Sequence, residues 1–388
     1  MSLRSFSDVP GGAALAQDRW ARVAWSHVVE PETASVRTWI SRHGASDALG
    51  RLLRGDLGAD GRYDQRIEVL DLTTARRALE RLRVRVVVPG DDEWPLGLDQ
   101  LDDPPICLYV RGSVGLGAVE GSVAVVGSRA ATSYGLHVAA NLAEGLVGRG
   151  VTVVSGAAFG VDAAAHRGAL AGGGPTVAVL ARGLDRAYPQ AHEGLLRAVG
   201  TQGAVVSELP PGWAPYRQRF LARNRIIAAM SVGTVVVEAG LRSGALSTAR
   251  AARRLNRHVA AVPGPVTSVQ SAGCHQLLRE TDATLVTDTA EVLDLMGRLG
   301  LDAAEPARAP ETAESELDPV ARSVWSAVPV RQGATLNRMQ LLTALDPATL
   351  LAALGQLTLQ GLVRRDGERW RKVPEHRPAG RVVDPEST

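Results

Sequence analysis

Between Arg217 and Arg225 the chain reads RQRFLARNR: Arg217, Arg219, Arg223 and Arg225 surround one aromatic residue, Phe220, and no acid interrupts them. Guanidinium groups meet phosphates through paired N–H donors and bases stack on an aromatic ring, so this combination suits a single-stranded nucleic acid. Packing of Phe220 within its helix is the plainer alternative. Asn224 also has a structural alternative, a hydrogen bond to a neighbouring loop. A second anion cradle is readable at Gly127, Ser128 and Arg129, just ahead of a helix expected from about Ser133. Backbone N–H groups at such a helix start, with a hydroxyl and a guanidinium beside them, attract phosphate. A tight turn carrying an exposed arginine accounts for the same three residues.

Two further turns carry reactive side chains. In SGAAFGVDAAAH, Gly156 and Gly160 permit close backbone approach, Asp162 suits a helix cap and His166 follows one turn later. A Ser155–His166 nucleophile pair would need a GxSxG elbow and an oxyanion donor, which the sequence lacks, so a capping aspartate and a structural histidine are preferred. Glu238 ends the run TVVVE, and Ser243 and Gly244 open the next helix. As a catalytic acid or base Glu238 would stand at a strand end. Pairing with an arginine such as Arg225 is favoured, because a buried guanidinium needs an anion.

Composition removes several chemistries. Lysine occurs only at Lys372, so neither a Walker phosphate loop nor a Schiff-base site can be built. A dinucleotide cofactor is not expected, since GxGxxG with its downstream acid is missing. The 8 histidines show no metal-ligand spacing, and Cys107 and Cys274 form no CxxC pair, which points to a reduced compartment without structural metal. A net charge of +2 over 388 residues suits a local anion patch better than wholesale wrapping of nucleic acid. No apolar run approaches a membrane span and the start MSLRSFSDVPGG has no signal-peptide core, so a cytoplasmic protein without membrane contact is expected.

The elements that must position these residues follow from periodicity. Residues 1–85 show apolar positions three and four apart, broken at Pro31 and Gly44, and predict a small helical (SAM-like) domain. From about residue 120, the short runs VAVVG, VTVVSG, TVAVLA, AVVSE, TVVVE and HVAAVPG alternate with Ala-rich helical patterns. Strands this continuously apolar are covered on both faces, which predicts an α/β, Rossmann-like, doubly wound and mainly parallel sheet over 86–300. Ligands in such sheets bind where strands turn into helices at their carboxyl ends. Residues 301–316, rich in Ala, Glu and Pro, predict a linker, 317–373 three helices and a hairpin around Asp366-Gly367, that is, a winged helix, and 374–388 a disordered tail. The helix that would enter a major groove, within DPATLLAALGQLTLQG, carries no Lys or Arg. It is therefore expected to contact protein or regulate, since duplex binding needs basic or amide anchors.

Taken together, VAVVGSR, SGAAFGVDAAAH, AVLARGLDRAYP, VVSELPPG, FLARNRIIA, VVVEAGLRSGALSTA and AVPGPVTSVQSAGCHQLL resemble, in this order, the DNA-processing protein A family (DprA, also called Smf). The resemblance implies a Rossmann-like domain that binds and protects single-stranded DNA, helps load the recombinase RecA during natural transformation (competence) and recombination, and forms a homodimer through that same domain. By position it implies that Gly127, Ser128 and Arg129 form a phosphate-binding turn, and that Phe220, Arg223 and Asn224 face the strand. Arg217 and Arg219 are implied as contributors, with Ser155, Gly156, Asp162, His166, Glu238, Ser243 and Gly244 as pocket support. A nucleotide phosphoribohydrolase-type enzyme, with Glu238 acting at an N-glycosidic bond, is the alternative; the GGxxGxxxE helix start typical of those enzymes is absent.

Overall fold

The computed structural model describes residues 13–57, 61–297 and 317–373, so the expected linker at 301–316 and the tail from 374 lie outside the described residues. The chain divides into two compact units, residues 1–305 and 306–388.

The first unit is built on a nine-stranded sheet. In chain order its strands are β1 (Arg85–Val87), β2 (Leu108–Gly112), β3 (Val123–Val126), β4 (Val153–Ser155), β5 (Thr176–Leu180), β6 (Ala204–Ser207), β7 (Gly233–Val236), β8 (His258–Ala261) and β9 (Thr284–Leu285). Across the sheet they run β1-β2-β6-β5-β4-β3-β7-β8-β9. From β6 to β9 every pair is parallel; β1 and β2 add an antiparallel edge. Alternation along the strands divides the core in two. Ala124, Val126, Val154, Val179 and Val236 meet Ile226, Ile227 and Met230 of helix α9 (Arg217–Met230) on one face. Val123, Val125, Val153 and Val235 meet Leu142, Leu146 and Ala165 on the other. Those three residues belong to α6 (Ser133–Val147) and α7 (Val161–Ala171). Helices α10 (Ala245–Arg254) and α11 (Ala272–Glu280) extend the first layer, and α12 (Thr289–Met296) the second. A strand with both faces covered must be apolar at every position, and for that reason its sequence reads as an unbroken run.

The amino-terminal helices α1 (Ala13–Val28), α2 (Ala34–His43) and α3 (Ala45–Leu53) close their own core around Trp25, whose Nε1 donates to the Ala45 carbonyl at 3.0 Å. The short α4 (Asp64–Glu68) adds Ile67 to it, and α5 (Leu72–Leu82) leads into β1. Polar contacts fasten this cluster to the sheet: Ser26 Oγ lies 2.6 Å from the Tyr109 hydroxyl, and Arg19 donates to Asp91 at 2.7 Å. Cys107 and Cys274 are buried, unpaired thiols, and burial pushes both up to about 12.

The second unit holds α13 (Pro319–Ala327), α14 (Leu336–Thr343) and α15 (Pro347–Leu359), followed by a hairpin, β11 (Val363–Asp366) and β12 (Arg369–Lys372), to which the two-residue strand β10 (Ala334–Thr335) adds. The hairpin turns at Gly367, with φ at +62°. Asp318 and Asp346 cap α13 and α15, their carboxylates accepting from first-turn N–H groups, and Leu350, Leu354 and Leu357 fill a core with Val324 and Met339. Among the described residues, no single helix is long and apolar enough to cross a membrane, and no group of three or more His, Cys, Asp or Glu residues could hold a metal ion.

Candidate nucleic-acid interface

The chain leaves β3 towards β4 on one side and later returns to β7 on its other side. Loops leaving the carboxyl ends of β3 and β7 therefore diverge and open a crevice, the usual ligand position in a doubly wound sheet. A groove of about 1250 Å³ occupies it. One wall is Gly127–Arg129 after β3, another is residues 240–245 after β7, and a third is the first half of α9, with Arg217, Phe220, Arg223 and Asn224. Thus most of the residues picked from the sequence converge, although up to about 115 positions separate them in the chain.

The turn after β3 is held from below. Ser128 N donates to the Glu238 carbonyl at 2.6 Å and its hydroxyl donates to Gln270 Oε1 at 2.8 Å. Glu238 is 1% exposed, and its two carboxylate oxygens accept from Thr132 Oγ1 at 2.7 Å and Thr132 N at 2.8 Å. This corrects the expectation that Glu238 pairs with Arg225. Arg225 instead donates to both oxygens of Glu208 at 2.7 and 2.8 Å, because its position on α9 carries it towards the end of β6, whereas Glu238 faces the start of α6. With both oxygens engaged at a helix entry, Glu238 is a positioning group for the Gly127–Arg129 turn.

Arg129 is exposed, and its guanidinium carbon lies 4.7 Å from the centre of the half-buried Phe220 ring. A guanidinium over a ring face is attracted by the π-system and can still donate N–H groups to an anion. Tyr188, to which the sequence alone draws no attention, stands nearby, tilted against Phe220 at 5.7 Å between ring centres. Its neighbourhood, RGLDRAY, shows the same aromatic-among-arginines pattern that marks Phe220. Tyr216, which opens the same arginine run in YRQRF, lines the groove too, as do Arg242 and Gln270, which carry no comparable signal in the sequence.

Arg223 and Arg219 have different duties from Arg129. Arg223 is 5% exposed; its Nη1 donates to the Gly156 and Val179 carbonyls, and its Nε donates to Asn224 Oδ1 at 3.2 Å. Burial lowers it to about 10, opposed by Asp162, whose own carboxyl burial pushes up. Asn224 passes the chain of bonds on, donating from Nδ2 to the Gly244 carbonyl at 3.2 Å. Arg223 and Asn224 therefore line the groove while tying together strand β5 and the loops after β4 and β7. Ser243 supports the last of these, its Oγ accepting from Ala245 N at 3.3 Å. Arg219 lies outside the groove: it is 9% exposed, grips both oxygens of Glu30 at 2.9 and 3.0 Å, and packs 4.3 Å from the ring centres of Trp213 and Tyr216. It anchors the amino-terminal helices. Arg217 is the exposed arginine of this pair and does line the groove.

Ser155 and His166 do not meet each other's needs as a nucleophile and base. Ser155 Oγ donates to the Val125 carbonyl at 2.7 Å, and His166 Nδ1 lies 2.8 Å from Thr176 Oγ1. Since that hydroxyl already donates to the Val153 carbonyl, His166 is the donor through Nδ1–H. Burial pushes His166 down to about 3, so it is neutral at physiological pH. Asp162 is not a cap: α7 starts after Gly160, and Asp162 Oδ2 accepts from Ala158 N at 3.3 Å inside the first turn. Gly160, with φ at +77°, lets that turn pass against the Ser128 carbonyl, where any side chain would collide.

The fold and groove define a doubly wound α/β protein with a cationic, aromatic-walled groove at its switch point. A family model described as DNA recombination-mediator protein A matches residues 85–297. The chain is 43% identical over 375 residues to the putative DNA processing protein DprA of Mycobacterium tuberculosis, covering 91% of this chain and 93% of that one. It is 42% identical over 203 residues to the DNA processing protein DprA of Streptococcus pneumoniae, covering 52% of this chain and 71% of that one. The X-ray structure of DprA from Streptococcus pneumoniae is similar at a TM-score of 0.60 and 33% identity, over 72% of this chain and 98% of that one. The chain belongs to the DNA recombination-mediator protein A family.

Proposed function

We propose that the groove holds single-stranded DNA and that the protein acts without catalysis, as a cytoplasmic mediator that protects exposed strands and helps load RecA in recombination and natural transformation. The observation carrying this reading is the exposed Arg129 guanidinium stacked at 4.7 Å on Phe220, beside Tyr188, at the switch point. A guanidinium edge meets the phosphate while the neighbouring rings offer apolar faces to bases. A homodimer through the α/β unit would present two grooves to one strand and raise avidity through effective concentration. The phosphoribohydrolase alternative is not favoured, because Glu238 is buried and both its oxygens are committed to Thr132. The second unit is proposed as a winged helix that contacts protein: Leu341, Leu351 and Leu359 are 86%, 49% and 92% exposed on its surface.

Fluorescence anisotropy of labelled single- and double-stranded oligonucleotides across a salt series tests the reading. Single strands should bind in preference, Arg129→Ala should make the salt slope shallower by about 0.7 for each phosphate no longer neutralised, and Phe220→Ala should cost about 1–3 kcal/mol. Binding untouched by either change, or without strand preference, refutes the groove. In the same titration, duplex affinity that disappears on removing residues 306–388 would contradict a protein-contact role for the second unit.

A further inference from the structure

A second basic groove adjoins the first. It has a volume of about 1130 Å³ and lies between the loop after β5, helix α8 (Glu193–Gln202) and the end of strand β2. Arg83, Arg111, Arg182, Arg186 and Arg197 line it, against two acids, Asp185 and Glu193. The acids leave much of the charge unanswered. Glu193 is engaged by Arg197 at 3.1 Å. Asp185 accepts from Gly212 N at 2.9 Å through one oxygen, and its other oxygen stands 3.8 Å from Arg182. Arg182 is 12% exposed along its side chain and its Nε is buried without a hydrogen-bond partner among the described residues. Arg83 and Arg186 are exposed, and Arg111 is half-buried, donating to the Leu184 carbonyl at 3.1 Å. Since that Nε is buried, the donors open to an anion from outside the chain are those of the exposed Arg83 and Arg186, with Arg182 adding its charge from beneath.

The two grooves share one lining residue, Tyr188. Its ring is exposed and stands beside Phe220, so an aromatic step connects the two cationic floors. Alternating cationic tracts and aromatic platforms are what a flexible polyanion with a π-face on every unit can follow, whereas a small anion needs only one cradle.

We infer that a single strand seated at Arg129 and Phe220 continues over Tyr188 into this second groove, where Arg182, Arg186, Arg83 and Arg111 hold its backbone. The inference rests on the strand-holding reading of the first groove and extends it. Each protomer then has a footprint longer than the switch-point crevice supplies, with sequence-independent phosphate contacts in the outer half.

Affinity and salt slope measured with oligothymidylates of about 6 and about 20 nucleotides test it, since strand sites of this type span roughly 4–16 nucleotides. The full-length protein is compared with Arg83→Ala/Arg186→Ala, both exposed and remote from the core, and with Arg129→Ala. On the long strand the wild type should show a steeper slope than on the short one. The double variant should lose about 1.4 of that slope, at about 0.7 per phosphate, while binding the short strand as the wild type does. Arg129→Ala should weaken both lengths. A double variant that keeps the whole gain with length overturns the second groove and leaves the first intact. Failure of the wild type to bind the short strand, or indifference to Arg129→Ala, overturns the first groove and the extension with it.

Discussion

Replacing Gly156 with alanine tests whether Arg223 is a positioning residue. A methyl group at Gly156 would occupy the place of the Arg223 guanidinium, meeting Nη1, Cζ and Nη2 together. The guanidinium would have to leave the Gly156 and Val179 carbonyls, to which Nη1 donates at 2.6 and 2.5 Å. Hydrogen bonds involving a charged group are worth about 1.5–3 kcal/mol each, and forcing atoms into a filled site costs a further 1–3 kcal/mol, so a loss of at least about 4 kcal/mol is expected. Urea unfolding followed by circular dichroism would measure it. Since Arg223 is buried and spent on carbonyls, the effect on strand affinity should come through displacement of Phe220 and leave the salt slope unchanged. Gly156→Ala in an Arg223→Met background should cost much less than in the wild type, because the methionine vacates the space and has no hydrogen bonds to lose. Additive costs, or a Gly156→Ala loss below about 1 kcal/mol, would refute the assignment.

Two contrasts extend this logic. Arg217→Ala should lower the salt slope for single strands by about 0.7 without loss of stability, whereas Arg219→Ala should leave the slope alone and cost about 1–3 kcal/mol, because it frees Glu30 and the amino-terminal helices; the opposite pattern in paired anisotropy and unfolding measurements would reverse their roles. Burial pushes His166 down from 6.5 to about 3. The unfolded chain therefore binds the proton first, and the stability present above pH 6.5 is lost as pH falls towards 3. The loss by pH 5 should be about 2 kcal/mol for this histidine and should be absent in His166→Gln, so that it appears as the difference between the two proteins' stability changes read from urea unfolding at pH 7 and pH 5.

The parts of the fold legible in the sequence are those with a strong one-dimensional signature. The six apolar runs become β3 to β8 because both faces of each strand are covered. β1 and β2 carry no such signature: RVV is three residues long, and LYVRG loses its apolar character at Arg111, where the sheet edge opens to the second groove. The Gly127–Arg129 turn and the FLARNR segment are legible as cationic turns because their chemistry is local.

Which arginine does what is not legible, because partner choice is decided by sheet order. Two glutamates, Glu208 and Glu238, follow apolar strands in the same way, at VVSE and VVVE. The rule that a buried guanidinium needs an anion holds for Arg225, yet it cannot say which of the two supplies it. Sheet order separates β6 from β7 by three strands and sets Glu238 against the entry of α6. The same geometry sorts the arginine run on α9. Successive helix positions are about 100° apart, so Arg219 and Arg225 turn towards the acids Glu30 and Glu208, Arg223 turns into the loop carbonyls, and Arg217 remains in the groove. Charge in the run RQRFLARNR is thus divided between two jobs, and only the exposed share is available to a strand. That division leaves Arg217 as the run's exposed contribution to the first groove, where the remaining exposed arginines, Arg129 and Arg242, come from the loops after β3 and β7.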